Sequence, residues 1–176
     1  MRTSQAVSWA LFTVLLLSIS LVAVSRGEPP EEDASLKRAQ RTVQMIDDIY
    51  KGGIVLITEH YVNDEDDLPA GEAFKKLFVA AEEKGWHAVR LLDATDEPYN
   101  PENAPADAFE EAAIKALLAG KPVYEQVIEK EGKRYLRSAT PVPVVMQKCT
   151  MCHEHYLDAK PGTPIGAISY TVPIDD

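Results

Sequence analysis

Both cysteines of this 176-residue chain lie in one short stretch, "KCTMCHEHY" over residues 148–156, so its fold has to present that stretch to whatever the thiols bind. Cys149 and Cys152 are three positions apart, and His153 follows directly. This pattern is the attachment signal for c-type haem. Two thiols at this spacing add to the two vinyl groups of one porphyrin, and the next imidazole becomes the proximal iron ligand. We therefore predict one covalent haem c, attached through Cys149 and Cys152, with His153 on the iron.

Other interpretations of the motif are weaker. A thioredoxin-like redox pair would lie early, at the start of a helix after a first strand, whereas this pair follows a Pro-Val-Pro-Val-Val run late in the chain. A zinc site would use Cys149, Cys152 and His155, but a structural site needs four ligands and the sequence has no second cysteine pair. In an oxidising compartment the two thiols could also form a disulfide. Haem is favoured, and zinc and the disulfide stay as alternatives.

Residues 1–27 have the pattern of a signal peptide. Arg2 precedes an uncharged apolar run over residues 7–24, and Ala23-Val24-Ser25 approximates a cleavage signal. Cleavage would start the mature chain near Arg26 or Glu28. The apolar run is also about long enough to remain as an N-terminal membrane anchor. We therefore expect an exported protein, periplasmic or anchored facing the periplasm, with residues 28–176 as its one domain.

Composition and charge limit the partners. An apolar content of 45% suits one globular domain with a real core. Without residues 1–27 the chain keeps 16 basic and 28 acidic residues, a net charge of −12. This charge argues against nucleic acid or an anionic membrane surface as a partner.

The N-terminal part of the domain predicts a long helix. Asp33 or Ser35 would be its N-cap, and Gly52-Gly53 would lower its stability unless a close neighbour needs the missing side chains. An apolar stripe recurs at alternating steps of three and four, which predicts one buried helix face. Its members are Leu36, Ala39, Val43, Ile46, Tyr50, Gly53, Ile57 and His60.

Shorter elements follow. A second helix is predicted from Gly71 to Lys84, with Phe74, Leu77, Phe78 and Ala81 buried and Gly85 after it. Residues 86–93 alternate like a strand, and Asp107 with Glu110 forms an N-terminal capping pair for a helix through Leu118. Three mostly antiparallel strands come last, over residues 123–128, 135–145 and 165–172. This order predicts an α+β fold with helices to one side of a sheet.

Four features together resemble a known family. The late haem motif, "NPEN-AP" at residues 100–105, the long N-terminal helix and "GAISY" at residues 166–170 are similar to PAS-like, single-haem c-type domains. Such domains occur as exported small cytochromes and as sensory parts of bacterial signalling proteins. The resemblance covers roughly residues 33–174, and only the haem motif is highly specific. It implies a PAS-like antiparallel sheet with a long N-terminal helix and flanking helices, and a haem between sheet and N-terminal helix.

The resemblance also raises the question of the second iron ligand. In the best-described relatives the N-terminal helix supplies a cysteine, but this helix has none, so Cys-His ligation is excluded here. We favour His60, because it continues the apolar stripe and should point inward. His87 shares a strand face with Val89 and Leu91, whereas His155 should turn away from the iron. The further alternatives are Met45, Met146 and an open iron face.

The ligand decides which function is expected. Two histidines favour electron transfer or redox sensing, and an open face favours binding of NO, CO or oxygen. A carrier needs a redox partner protein, and a sensor of this size needs a partner that transmits the signal. A zinc- or disulfide-stabilised PAS-like binding module without haem is the third class. No phosphate loop, Ser-His-Asp signature or metalloprotease pattern is present, so we do not expect an enzyme.

Three arginines are candidates for contacts with haem propionates, because a guanidinium binds a carboxylate through two hydrogen bonds. The simpler interpretation is that they form exposed salt bridges with the protein's own acidic residues. They are Arg90, Arg134 and Arg137.

Overall fold

A computed structural model describes residues 33–63, 68–95, 98–150, 156–160 and 162–175, in which we find three α-helices and four β-strands. The elements are α1 (Ala34–His60), α2 (Ala70–Glu83), β1 (Ala88–Asp93), α3 (Ala108–Leu118), β2 (Tyr124–Lys130), β3 (Lys133–Pro143) and β4 (Pro164–Pro173). The predicted α+β class, with a long N-terminal helix, flanking helices and an antiparallel sheet, is confirmed. The predicted signal peptide at residues 1–27 lies outside these ranges. None of the described helices is both long and apolar enough to cross a bilayer.

The four strands form one sheet in the order β1-β4-β3-β2, and every neighbouring pair is antiparallel. Strand β4 is therefore central, with Tyr170 opposite Val89 on one side and Ser138 on the other. Strands β2 and β3 are joined by the two-residue turn Glu131-Gly132, in which both residues have positive φ, 55° and 73°. Glycine adopts such a φ without strain, which fits the hairpin turns that match strand twist.

Helices cover both faces of the sheet. Side chains alternate along a strand, so Val89 and Leu91 face α1 and α2, whereas Leu92 faces α3. The expectation that all helices lie to one side was wrong. Residues 166–170 of the central strand are buried without interruption, so both faces need cover.

The larger core lies beneath α1 and α2. Helix α1 begins at its N-cap Asp33, whose side chain accepts a hydrogen bond from the Leu36 N–H at 2.9 Å. Gly53 lies against α2, since a Cβ there would come within 2.5 Å of the Phe74 ring. This close approach explains why a helix-weakening glycine is present. The fully buried members of this core include Ala39, Val43, Ile46, Tyr50, Phe74, Phe78, Val89, Leu136, Ile168 and Tyr170.

Helix α2 buries a narrower face than predicted. Phe74, Phe78 and Ala81 are buried as expected, but Leu77 is 49% exposed. Residues 74, 78 and 81 follow the helical repeat, and position 77 is rotated about 100° from Phe78. The prediction for Leu77 was therefore wrong.

Candidate functional site

The C-terminal end of α1 lies beside the stretch that contains the cysteine motif. Lys148 donates hydrogen bonds from Nζ to the carbonyl oxygens of Glu59 at 3.0 Å and Val62 at 2.7 Å. The last carbonyls of a helix lack partners within the helix and attract cations. Lys148, the residue before Cys149, is thus held at the end of α1. We call residues 148–156 the Cys149 segment.

The first three residues of the Cys149 segment belong to a short helical turn, Gln147–Thr150. The Cys149 N–H donates to the Met146 carbonyl oxygen at 3.1 Å, and the Thr150 hydroxyl donates to the Gln147 carbonyl oxygen at 3.0 Å. Thr150 is buried, and Cys149 is half-buried with a free thiol. Residues 151–155, with Cys152, His153 and His155, lie outside the described residues.

The last residue of the Cys149 segment is anchored to the sheet. Tyr156 is buried and donates its phenolic hydrogen to the carboxylate of Asp93, the last residue of β1. Burial, together with the adjacent Asp93 carboxylate, raises the pKa of Tyr156 well above its ordinary value, so the phenol remains a donor. Asp93 is itself held by the Thr95 N–H at 2.7 Å. The Cys149 segment is therefore fixed at both ends, to α1 by Lys148 and to β1 by Tyr156.

Apolar side chains near this end of the fold are incompletely covered. Ile54, Ile57, Leu91 and Val142 pack against the larger core but are only partly buried. Leu157, which follows Tyr156, is 64% exposed. An apolar group placed here would remove further hydrocarbon surface from water.

His60 does not point inward. It is the last residue of α1, its side chain is 60% exposed, and its Nε2 lies 3.7 Å from the Glu59 carboxylate. The expectation that the imidazole joins the core was wrong. Alternating steps of three and four average less than 3.6 residues per turn, so the stripe rotates by about 120° between Leu36 and His60. His60 nevertheless directly follows Glu59, whose carbonyl oxygen accepts a hydrogen bond from Lys148.

The structure places the other candidate ligands at different points. His87 precedes β1, is half-buried, and its Nε2 lies 2.8 Å from the Tyr50 hydroxyl oxygen. Burial lowers the pKa of His87. Tyr50 is about 14 Å along α1 from Glu59, which separates His87 from the Lys148 anchor. Met45 is 56% exposed and lies still earlier on α1, whereas Met146 is in the turn that precedes Cys149.

The three arginines bind acidic residues of the protein. Arg90 pairs with Glu110 and also donates to the carbonyl oxygens of Glu102 and Ala104, at 2.9 and 3.1 Å. This contact holds the "NPEN-AP" loop against β1. Arg134 pairs with Asp33 at the start of α1. The guanidinium of Arg137 pairs with Asp107 at 2.5 Å and lies over the Phe109 ring, 4.1 Å from its centroid. Salt-bridge roles therefore account for all three.

Two anchors of the Cys149 segment were missed in the sequence. No local pattern indicates a role for Tyr156 or Lys148. Tyr156 follows the cysteine motif at a distance of three residues, but nothing local identifies Asp93 as its partner. Within the described ranges, no group of three or more His, Cys, Asp or Glu side chains is placed to hold a metal ion.

Fold and site place the protein among small α+β domains that carry a cysteine motif beside the end of a long helix. Within that class, the chain belongs to the Tll0287-like family, whose model matches residues 30–173. Its fold is similar to the crystal structure of the cyanobacterial haem protein Tll0287, with 17% sequence identity and a TM-score of 0.50. The match covers 85% of this chain and 99% of the other. No curated protein matches the chain. The sequence predicted a family of haem proteins, and the matched family shares its name with a haem protein of known structure. The PAS-like and single-haem c-type parts of the predicted resemblance stay predictions.

Proposed function

We propose that this protein is an exported monohaem c-type cytochrome that undergoes one-electron redox change, as an electron carrier or redox sensor. Cys149 and Cys152 would bond covalently to the porphyrin, and His153 would be the proximal ligand. The observation that carries this proposal is the spacing of Cys149, Cys152 and His153. Both ends of the segment that contains them are anchored, through Lys148 to α1 and through Tyr156 to β1. Membership of the Tll0287-like family supports it.

The described residues fit a haem at the C-terminal end of α1. The Cys149 thiol is free and half-buried there, and Ile54, Ile57 and Val142 offer partly buried apolar surface for a macrocycle. Beneath the middle of α1, by contrast, the Tyr50 ring packs on the Phe78 ring with centroids 5.0 Å apart. We therefore place the haem beside the end of the helix rather than under its middle.

The protein residues have distinct roles in this proposal. When bound, haem supplies an iron that is oxidised and reduced by one electron. Lys148 fixes the first thiol relative to α1, and Tyr156 holds the chain that follows His153. We propose His60 as the second axial ligand, because it ends the same helix turn that binds Lys148 and its exposed side chain is free to reorient.

The first test is the purified protein from cells that export it and mature c-type cytochromes. We expect a coloured protein whose mass equals one polypeptide plus one haem, with thioether bonds that survive denaturation. Cys149→Ala and His153→Ala should lose the native spectrum, whereas His155→Ala, two residues from the ligand, should keep it. A colourless product with the mass of the bare polypeptide would contradict the proposal, and bound zinc would favour the zinc-stabilised module.

The second test concerns His60. The absorption spectrum of the wild-type protein should be that of a six-coordinate, low-spin haem iron. The spectrum of His60→Ala should be that of a high-spin iron. The matched control is His87→Ala, which should stay low-spin because His87 contacts Tyr50 instead. An unchanged low-spin spectrum in His60→Ala would remove His60 as the ligand. Rapid CO binding by the wild-type protein would favour gas sensing over redox function.

A further inference from the structure

Helix α1 has a second apolar stripe, on the side that faces solvent. Met45, Ile49 and Leu56 are 56%, 60% and 57% exposed, and Gly52 lies between them. Their spacing of four, three and four residues keeps them within about 60° of each other around the helix. We call these four residues the outer stripe. Single exposed apolar residues are common, but a continuous row along a helix indicates an interaction surface.

Among the residues that the structure describes, none packs closely against Gly52. A Cβ added at Gly52 would meet no atom within 4 Å, in contrast to Gly53, where it would collide with Phe74. A glycine in a helix interior lowers helix stability, so its presence calls for another explanation. At the centre of an exposed apolar row, a missing side chain lets a second backbone approach closely.

We propose that the outer stripe binds the outer stripe of a second copy of this chain, with the two α1 helices antiparallel. A two-fold axis between Ile49 and Gly52 sets Met45 opposite Leu56 of the other copy and Ile49 opposite Gly52. The stripe is thus complementary to itself only in the antiparallel direction. A closed two-fold dimer results, because the same patch serves both partners.

Charges beside the outer stripe fit the same arrangement. Arg41 and Glu59 lie on one flank of the stripe, at nearly equal distances from the proposed axis, so each Arg41 faces Glu59 of the other copy. The exposed positions of α1 carry Lys37, Arg38 and Arg41 against Asp48 and Glu59, so this face has no net negative charge. The full chain has a formal charge of −10, and most of its surface would repel a second copy. This face does not.

The size of the outer stripe predicts a weak dimer. From Met45 to Leu56 the helix rises by about 17 Å, which is short for a stable interface. We expect a dimer with a dissociation constant in the micromolar range.

Sedimentation equilibrium of the full, cofactor-loaded protein tests the dimer. We expect a mass that moves from one to two copies as concentration rises through the micromolar range. Ile49→Glu should weaken association at least about tenfold, because it places a charge at the axis. Leu77→Glu is the matched control, since Leu77 is an exposed apolar helix residue outside the outer stripe, and it should leave association unchanged. A monomer at all concentrations would overturn the proposal.

A charge exchange tests the antiparallel direction. Arg41→Glu and Glu59→Arg should each weaken the dimer, because each creates like-charge contacts, and the double variant should restore it. Gly52→Leu should also abolish association while the monomer stays folded. Failure of the double variant to restore the dimer overturns the antiparallel arrangement. Association that survives Ile49→Glu but is lost on removing residues 1–27 would assign it to the leader and overturn the proposal.

Discussion

Each face of the sheet has a carboxylate at a helix–sheet contact, and the two carboxylates differ in burial and in partners. On the α3 side, Glu110 is 2% exposed, pairs with Arg90, and accepts a hydrogen bond from the Ala106 N–H at 2.8 Å. On the α1 side, Asp47 is partly exposed and accepts hydrogen bonds from the hydroxyls of Thr140 at 2.6 Å and Tyr170 at 2.8 Å. It also pairs with the partly exposed Lys51 at 2.9 Å.

The difference separates fold stability from the candidate site. Removal of the Glu110 carboxylate takes a buried ionic partner from Arg90. Removal of the partly exposed Asp47 carboxylate leaves an ammonium that water can reach and two hydroxyl donors without an acceptor. The Cys149 segment is anchored to α1 and to Asp93, which shares the strand parity of Val89 and Leu91. Changes on the α3 side should therefore alter stability without altering the site.

The largest effect is expected for Glu110→Ala. It leaves the Arg90 guanidinium and the Ala106 N–H without this carboxylate, and we expect a loss of about 3 kcal/mol in the free energy of unfolding. Urea unfolding measures the loss, and the haem absorption spectrum should not change. The neighbouring exposed residue gives the control, since Glu111→Ala should change stability by less than about 0.5 kcal/mol. A shifted haem spectrum in Glu110→Ala would show that the two faces are coupled.

Asp47→Ala should have the next largest effect, about 2 kcal/mol, because two hydroxyls lose their acceptor. Tyr170 has no exposed surface, and burial together with Asp47 raises its pKa, so the phenol remains a donor that needs an acceptor. The same urea titration applies, with exposed Asp48→Ala as the control. A loss equal to that of Glu110→Ala would remove the distinction between the buried and the partly exposed carboxylate.

Lys148→Ala should cost less stability, about 1 kcal/mol, because it removes two hydrogen bonds from a partly exposed lysine. Lys148 lies at the candidate site, so the absorption spectrum of Lys148→Ala should gain a high-spin component that the variants on the α3 side lack. Lys148→Arg should restore the low-spin spectrum, since it keeps a cation at the end of α1. Equal spectra in the wild type and Lys148→Ala would mean that this anchor does not position the haem ligands.

The smallest effect concerns pH and His87. Burial lowers the pKa of His87, so the unfolded chain binds a proton more readily than the folded protein. The stability from neutral His87 is present above about pH 6.5 and is lost as pH falls through 6.5 towards the lower folded pKa. Melting temperatures measured between pH 8 and 5 should show a smaller acid-side decrease in His87→Gln. Tyr50→Phe should keep the wild-type decrease, because burial rather than the tyrosine causes the shift.

Local sequence patterns predicted the helices and strands better than the contacts between them. The Asp33 N-cap and the buried positions of α1 were predicted because they depend on residues a few positions apart. The burial of His60 and Leu77 was wrong, because periodicity does not show where the sheet beneath a helix ends. Asp107 caps α3 by accepting from the Glu110 N–H at 3.0 Å, as the capping pair predicted. The Glu110 carboxylate instead pairs with Arg90, twenty residues earlier, which no local pattern reveals.

The candidate site likewise has one part that the sequence predicts and another that it does not. The cysteine motif is readable because its spacing is set by chemistry, whereas the anchors Lys148 and Tyr156 depend on contacts with residues far away in the chain. The roles of Cys152 and His153 remain predictions from that motif.

The central place of β4 in the sheet has a consequence for the timing of folding. Strand β1 and the β2–β3 hairpin share no ladder with each other, and only β4 joins them. Because β4 is synthesised after residue 149, the thiol emerges while the sheet is still in two unjoined parts. Under the proposed function, an attachment enzyme would therefore be able to act on the motif before the last strand joins the sheet.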